Sequence, residues 1–181
     1  MQDEHARHGS MDTQMMRHHY MMLGLNLTLS FVIMYFVMFA MIWSFGDFFN
    51  NSNMFYMALA MASPMGILML LMMGTMYRNR RLNAVLYAAF ALIFILSFAA
   101  IRAQGLVGDR QFARAMIPHH SGAILMCERA AIRDPELKYI CFKPNGIIES
   151  QVREIAELRA ILERLQSAQS TTAALARHVR A

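Results

Sequence analysis

Charge is what this sequence has least of. Asp, Glu, Lys and Arg make up 16% of its 181 residues, against roughly 25% in an ordinary soluble domain. Between Arg17 and Arg102 the charged residues are Asp47, Arg78, Arg80 and Arg81. A water-soluble domain could not fold such a stretch without exposing large apolar patches. A concentrated basic surface is also lacking: the net charge is only +5, and the basic residues flank apolar runs or mix with acids, which argues against nucleic-acid binding. There is no Glu-x-x-His pair, so Glu128, Glu149, Glu154 and Glu157 do not predict a carboxylate-bridged iron or manganese centre. No small-x-small cleavage site follows the first apolar run, which is longer than a signal-peptide core, so that run is expected to stay in the protein.

Apolar residues are abundant instead, at 57%, and nineteen of them are methionine. Methionine is both an adaptable packing residue and a soft thioether ligand, so the excess admits two causes. The pattern predicts an all-α chain of four parts: a polar tail over 1–20, three transmembrane helices within 21–104, a small helical domain over 105–168 and a flexible tail over 169–181. The first part mixes His5, His8, His18 and His19 with Met1, Met11, Met15 and Met16. Apolar runs over 21–45, 54–77 and 82–101 are each long enough to cross a bilayer, and Pro64 with Gly66 predicts a kink in the second. The loop at Asp47 carries no Lys or Arg, whereas Arg78, Arg80 and Arg81 crowd the next one. The positive-inside rule then puts the N-terminus in the cytoplasm and the C-terminal domain in the periplasm of a bacterial inner membrane; Arg102, Arg110 and Arg114 argue the other way.

Methionines recur at helical spacing on the second run, at Met54, Met57, Met61, Met65, Met69, Met72 and Met76, and on the first at Met34, Met38 and Met41. Such stripes pack against lipid or neighbouring helices, or line a thioether route for copper(I).

From Gly105 onward charges become frequent and the apolar pattern turns amphipathic. One helix is predicted from Asp109 to about Ala131, with Pro118 marking a kink or a later start. Asp134-Pro135 is a cap followed by a first-turn proline and predicts a short second helix. Lys143-Pro-Asn-Gly146 breaks the chain before a long helix from Ile147 to Leu165. The two principal helices should pair as a hairpin that completes its core against another copy, the membrane helices or the connecting helix.

The donor-rich string is Met116-Ile-Pro-His119-His120-Ser-Gly-Ala-Ile-Leu-Met126-Cys127. Met116 stands three residues before His119 and four before His120, and Met126 follows His119 by seven, so thioether and imidazole donors can share one side of a helix. Soft sulfur with imidazole favours copper(I) or silver(I), whereas hard ions prefer oxygen. Packed core side chains are the competing reading. Cys127 and Cys141 suit a structural disulfide, buried free thiols or further ligands alike.

The string from Phe112 to Met126, with Asp109 before it and Asp134-Pro-Glu136, Ile147-Ile148, Ser150-Gln151 and Glu154-Ile155 after it, resembles the domain-of-unknown-function family 305, DUF305, which includes CopM-like copper-binding proteins. The family's usual Met after the Glu-Ile pair is Leu158 here, and Phe142–Gly146 is an expanded segment. The resemblance implies a helical, ferritin-like-related domain, exported or membrane-tethered, in which Met116, His119, His120 and Met126 face the metal. The expected function is non-enzymatic copper(I) binding, with silver(I) as a second ion, for sequestration or relay in metal tolerance. The expected partners are the lipid bilayer, further copies of the chain in a homo-oligomer, and a copper transporter or periplasmic copper carrier. The rival readings are a helical assembly module of a membrane complex and a metal-dependent oxidase.

Overall fold

The computed structural model describes the backbone of residues 2–178 and the side chains of residues 14–170. Among the described residues six α-helices follow in order: α1 (Gln2–Val37), α2 (Ser52–Met72), α3 (Arg80–Ala103), α4 (Asp109–Arg129), α5 (Pro135–Phe142) and α6 (Ile147–His178), with short 3-10 turns at Met38–Met41 and Phe45–Asp47. The described residues contain no strand. Met1, His5, His8 and Met11 of the expected N-terminal tail lie outside the residues with described side chains, as does most of the tail expected over 169–181.

The chain divides into two units, Met1–Val37 with Phe55–Gly105 and Met38–Met54 with Leu106–Ala181. The first holds the long apolar helices. Gln14–Met41, Ser52–Met72 and Arg80–Ala103 are each long and apolar enough to cross a membrane. The shortest has 21 residues and measures about 31 Å, matching a hydrocarbon core of about 30 Å. Most of their large side chains, among them Leu25, Phe36, Leu68, Val85, Ile95 and Phe98, are exposed on the helix surfaces. A small buried cluster of Leu23, Leu70 and Tyr77, flanked by Tyr20, Leu27, Met69, Leu86 and Phe90, joins the three helices.

Gly66, expected with Pro64 to mark a kink in α2, also serves packing. A Cβ there would lie 2.8 Å from the Phe90 ring, so the absent side chain lets α2 and α3 approach closely. At Ser63 the hydroxyl donates to the Leu59 carbonyl at 2.6 Å, and α2 continues through Pro64 without interruption. Asn79 caps α3 by accepting from Leu82 N at 3.0 Å.

The second unit is built on α4 and α6. Ala113, Ile117, Ile124, Ile155 and Leu162 form its buried core, spaced along the two amphipathic helices as their apolar periodicity predicts. Pro118 is buried within a helix that runs unbroken from Asp109 to Arg129, so it neither delays nor ends α4. Asp134 starts α5 by accepting from Glu136 N and Leu137 N, each at 2.9 Å, with Pro135 in the first turn. Cys127 and Cys141 are joined by a disulfide with their Cα atoms 5.7 Å apart, which ties α5 to the end of α4. Of the three readings open for the cysteines, the structure holds the first, and it leaves no free thiol among the described residues. Gly146 makes the turn into α6: a Cβ there would meet the carbonyl oxygens of Ile140 and Lys143, each at 2.7 Å.

The segment Met38–Met54 is where the structure departs most from a plain inter-helix loop. Its first residues, Met38–Met41, form a 3-10 turn that finishes the apolar run Gln14–Met41 as expected, and from Met38 the chain joins the C-terminal unit. Phe49 packs against the α4–α6 core, and the Arg159 guanidinium lies 5.6 Å from the Phe49 ring centroid. The reason is a set of polar partners that only the C-terminal domain supplies, described next. The domain is therefore larger than the 105–168 expected, and discontinuous in sequence.

Candidate metal centre

Helix α4 carries all four expected donors, and it does not treat them alike. Met116 and His120 are half-buried, one turn apart on α4, whereas His119 is exposed. The His119 and His120 rings are 5.9 Å apart, centre to centre, and tilted by 60°, as adjacent positions on a helix require. Met126 is 57% exposed and sits about 10 Å beyond His119 along the axis. The expected set thus splits into a half-buried pair, Met116 and His120, and two outward-facing donors, His119 and Met126.

The residue that gives this pair chemical character comes from α6. Glu154 Oε2 lies 3.0 Å from His120 Nδ1, with the imidazole side chain 12% exposed. That nitrogen is buried and outside hydrogen-bond geometry with any acceptor among the described residues. Burial pushes the His120 pKa below its ordinary value, the Glu154 carboxylate acts to raise it, and His119 lowers it further. The net direction favours a neutral ring near pH 7, the form that coordinates metal.

The sign of the linked stability follows. With its folded pKa lowered, His120 binds its proton less readily in the folded state than in the unfolded chain. As pH falls from the ordinary histidine range near 6.5 through that lower folded value, the unfolded state gains protons first and stability declines. The metal-free His120→Gln variant should therefore show a flatter fall in thermal midpoint between about pH 6.5 and pH 5 than the parent. Parallel curves would show that His120 is not held neutral by its surroundings.

Next to His120, Ser121 is the hub of a buried network that sequence reading missed. Its hydroxyl donates to Asp47 Oδ2 at 2.6 Å and accepts from Trp43 N at 2.6 Å. Arg159 Nη2 donates to Asp47 Oδ1 at 2.6 Å and to the Gly46 carbonyl at 2.9 Å. The indole of Trp43 donates to Glu128 Oε2 at 2.8 Å. Gly122 faces the Met41 carbonyl, 3.3 Å from where a Cβ would stand. The signal that could have found the network is Asp47 itself: the lone acid of an apolar stretch needs a partner. Glu154 was visible only as a member of a sequence string, because its pairing with His120 spans two helices.

Among the described residues no group of three or more His, Cys, Asp or Glu side chains is gathered as a metal cage. What α4 and α6 present is one thioether and one imidazole backed by a carboxylate, an open partial set that would need further donors to saturate an ion.

Comparison with known proteins bears on the same region. The family model described as "Domain of unknown function (DUF305)" matches residues 98–180. "Uncharacterized protein L153" of Acanthamoeba polyphaga mimivirus is 33% identical over 122 residues, which is 66% of this chain and 76% of that protein. That alignment is longer than the family match, so it extends into the apolar segments. No solved structure matches.

Proposed function

The chain belongs to the DUF305 family, and from that premise we propose that it is a non-enzymatic membrane protein whose C-terminal domain binds copper(I), with silver(I) as a second ion, and sequesters or relays it in metal tolerance. The observation that carries the reading is the pairing of His120 with Glu154 across α4 and α6 at 3.0 Å. With the Glu154 carboxylate standing 3.0 Å from Nδ1, Nε2 is the ring nitrogen left for a metal. Met116, one turn earlier, adds a soft donor that needs no deprotonation. His119 and Met126, turned outward on the same helix, are suited to complete the coordination from a second copy or to pass the ion to a carrier.

The proposed setting is an inner membrane with the N-terminus in the cytoplasm and the C-terminal domain in the periplasm. Three spans bring Met38–Met54 and the C-terminal domain out on the same side, and their membership of one folded unit supports that count. The arginines at 78, 80 and 81 favour the cytoplasm for the intervening turn, and the disulfide suits an oxidising compartment.

The test is an anaerobic copper(I) titration of the full chain in detergent against a competing chelator. Met116→Leu and His120→Gln should each weaken binding at the C-terminal site at least tenfold, or about 1.4 kcal/mol. Unchanged affinity in both would refute the site. A second reading, that the domain is an assembly module, is favoured by the exposed Leu137, Tyr139, Ile140 and Phe142 on α5, large apolar side chains of the kind that partners cover. It predicts metal behaviour indifferent to Met116→Leu.

A further inference from the structure

The first unit contains a second gathering of soft donors, and it lies far from the first in sequence. Met15, Met16 and His19 on α1, with Thr75, Met76 and Arg78 from the turn between α2 and α3, line a cavity of about 420 Å³. Three thioethers and one imidazole thus face one space from two separate segments. Met15 and His19 are four residues apart and Met16 and His19 three, so all are neighbours on one helix face. Met76 is the last member of the α2 methionine series and follows the end of the helix at Met72.

Two further observations point to a ligand rather than to packing. His19 Nδ1 is buried and has no hydrogen-bond partner among the described residues, a condition that costs about 1–3 kcal/mol when nothing satisfies it. The cavity walls are also braced immediately beside the donors. Tyr20, next to His19, donates to Asn83 Oδ1 at 2.7 Å, and Asn83 Nδ2 donates to the carbonyl of Tyr77, next to Met76, at 2.7 Å. The Tyr20 and Tyr77 rings lie 5.2 Å apart, centre to centre. One hydrogen-bonded bridge therefore sets the spacing of the α1 and turn donors, the support a binding constellation requires.

The donor chemistry selects the ion. Neutral thioethers and imidazole hold soft cations and give hard ions no oxygen shell. They also place no buried negative charge at the edge of a membrane span. Arg78 on the lining adds a repulsion that a divalent ion feels twice as strongly as a monovalent one.

We propose that Met15, Met16, His19 and Met76 form a second soft-metal site, for copper(I) or its analogue silver(I), at the arginine-flanked end of the helical unit. Under the three-span topology this end faces the cytoplasm, so the protein takes up copper(I) on both sides of the membrane. The site does not depend on metal binding by the C-terminal domain.

The experiment uses the full chain in detergent with Met116→Leu, His119→Gln, His120→Gln and Met126→Leu combined, which silences the C-terminal donors. Anaerobic copper(I) titration against a chelator should still find one equivalent, with sulfur scattering in its X-ray absorption spectrum. Adding Met15→Leu, Met16→Leu and Met76→Leu, which preserve apolar volume, should weaken that equivalent at least tenfold, and His19→Gln alone should do the same. The proposal is overturned if the silenced chain binds no copper(I), or if neither the leucine set nor His19→Gln changes its affinity. Should the leucine set disturb the thermal midpoint in detergent, the single His19→Gln comparison decides. A parent chain that binds one equivalent, lost with the leucine set and kept with Met116→Leu and His120→Gln, would refute the C-terminal site while leaving this one standing.

Discussion

Asp47→Ala should lower the stability of the C-terminal unit by about 2–3 kcal/mol, read as a lower thermal midpoint of the full chain and as faster proteolysis within residues 38–54. Asp47 is 3% exposed and holds two elements of the domain at once, through Ser121 on α4 and Arg159 on α6. Breaking a buried ion pair by removing one partner costs about 3–5 kcal/mol. The smaller figure applies here because the Arg159 side chain is 41% exposed and water can solvate it once the carboxylate is gone. Ser121 would also lose the acceptor for a buried hydroxyl, though it keeps the amide of Trp43 as a donor. Asp47→Asn should cost less than Asp47→Ala, since an amide oxygen still accepts from Ser121. A midpoint and cleavage rate equal to the parent's would mean that the segment merely rests on the domain. If the loss is as large as expected, a fragment beginning at residue 105 would lack Trp43, Asp47 and Phe49 together. Copper titrations of this protein therefore call for the full chain.

Removing the disulfide should cost a similar amount. The Cys127–Cys141 bridge closes a loop with a sequence separation of 14, and constraining a loop of about 15 residues in the unfolded chain is worth about 3 kcal/mol. The oxidised parent should unfold at higher temperature or denaturant than the Cys127→Ser/Cys141→Ser variant, and reduction of the parent should reproduce the variant's curve. The effect should centre on α5, whose eight residues bury Cys141 while leaving Leu137, Tyr139 and Phe142 exposed. Coincident curves for oxidised parent and variant would show that α5 is held by packing instead. The same cysteines report on compartment: alkylation of intact cells should find them unreactive until a reductant is added. Free thiols in that assay would place the domain in a reducing compartment and reverse the proposed orientation.

The helices were readable from sequence because their causes are local. Three runs with almost no charge announce helices long enough to span, whatever they pack against. Asp134-Pro135 starts α5 where a cap and a first-turn proline say it should, and the spacing of Ile117, Ile124, Ile155 and Leu162 along α4 and α6 marks the core face. Pro118 does not delay the start of α4, because the buried face of the helix keeps it continuous past the proline.

Sequence by itself determined the all-helical character, the three long apolar helices, the amphipathic C-terminal domain and the supply of Met and His donors, since hydropathy, periodicity and capping act within a few residues. Only the tertiary structure decided which donors meet. It separated Met116 and His120 from His119 and Met126, set Glu154 against His120, and brought Met76 to His19. It also drew Met38–Met54 into the C-terminal unit through Asp47, whose partners lie 74 and 112 residues away. Such pairings depend on the need of each buried polar group for a partner and on the surfaces left after the helices pack, and no local pattern of residues encodes either.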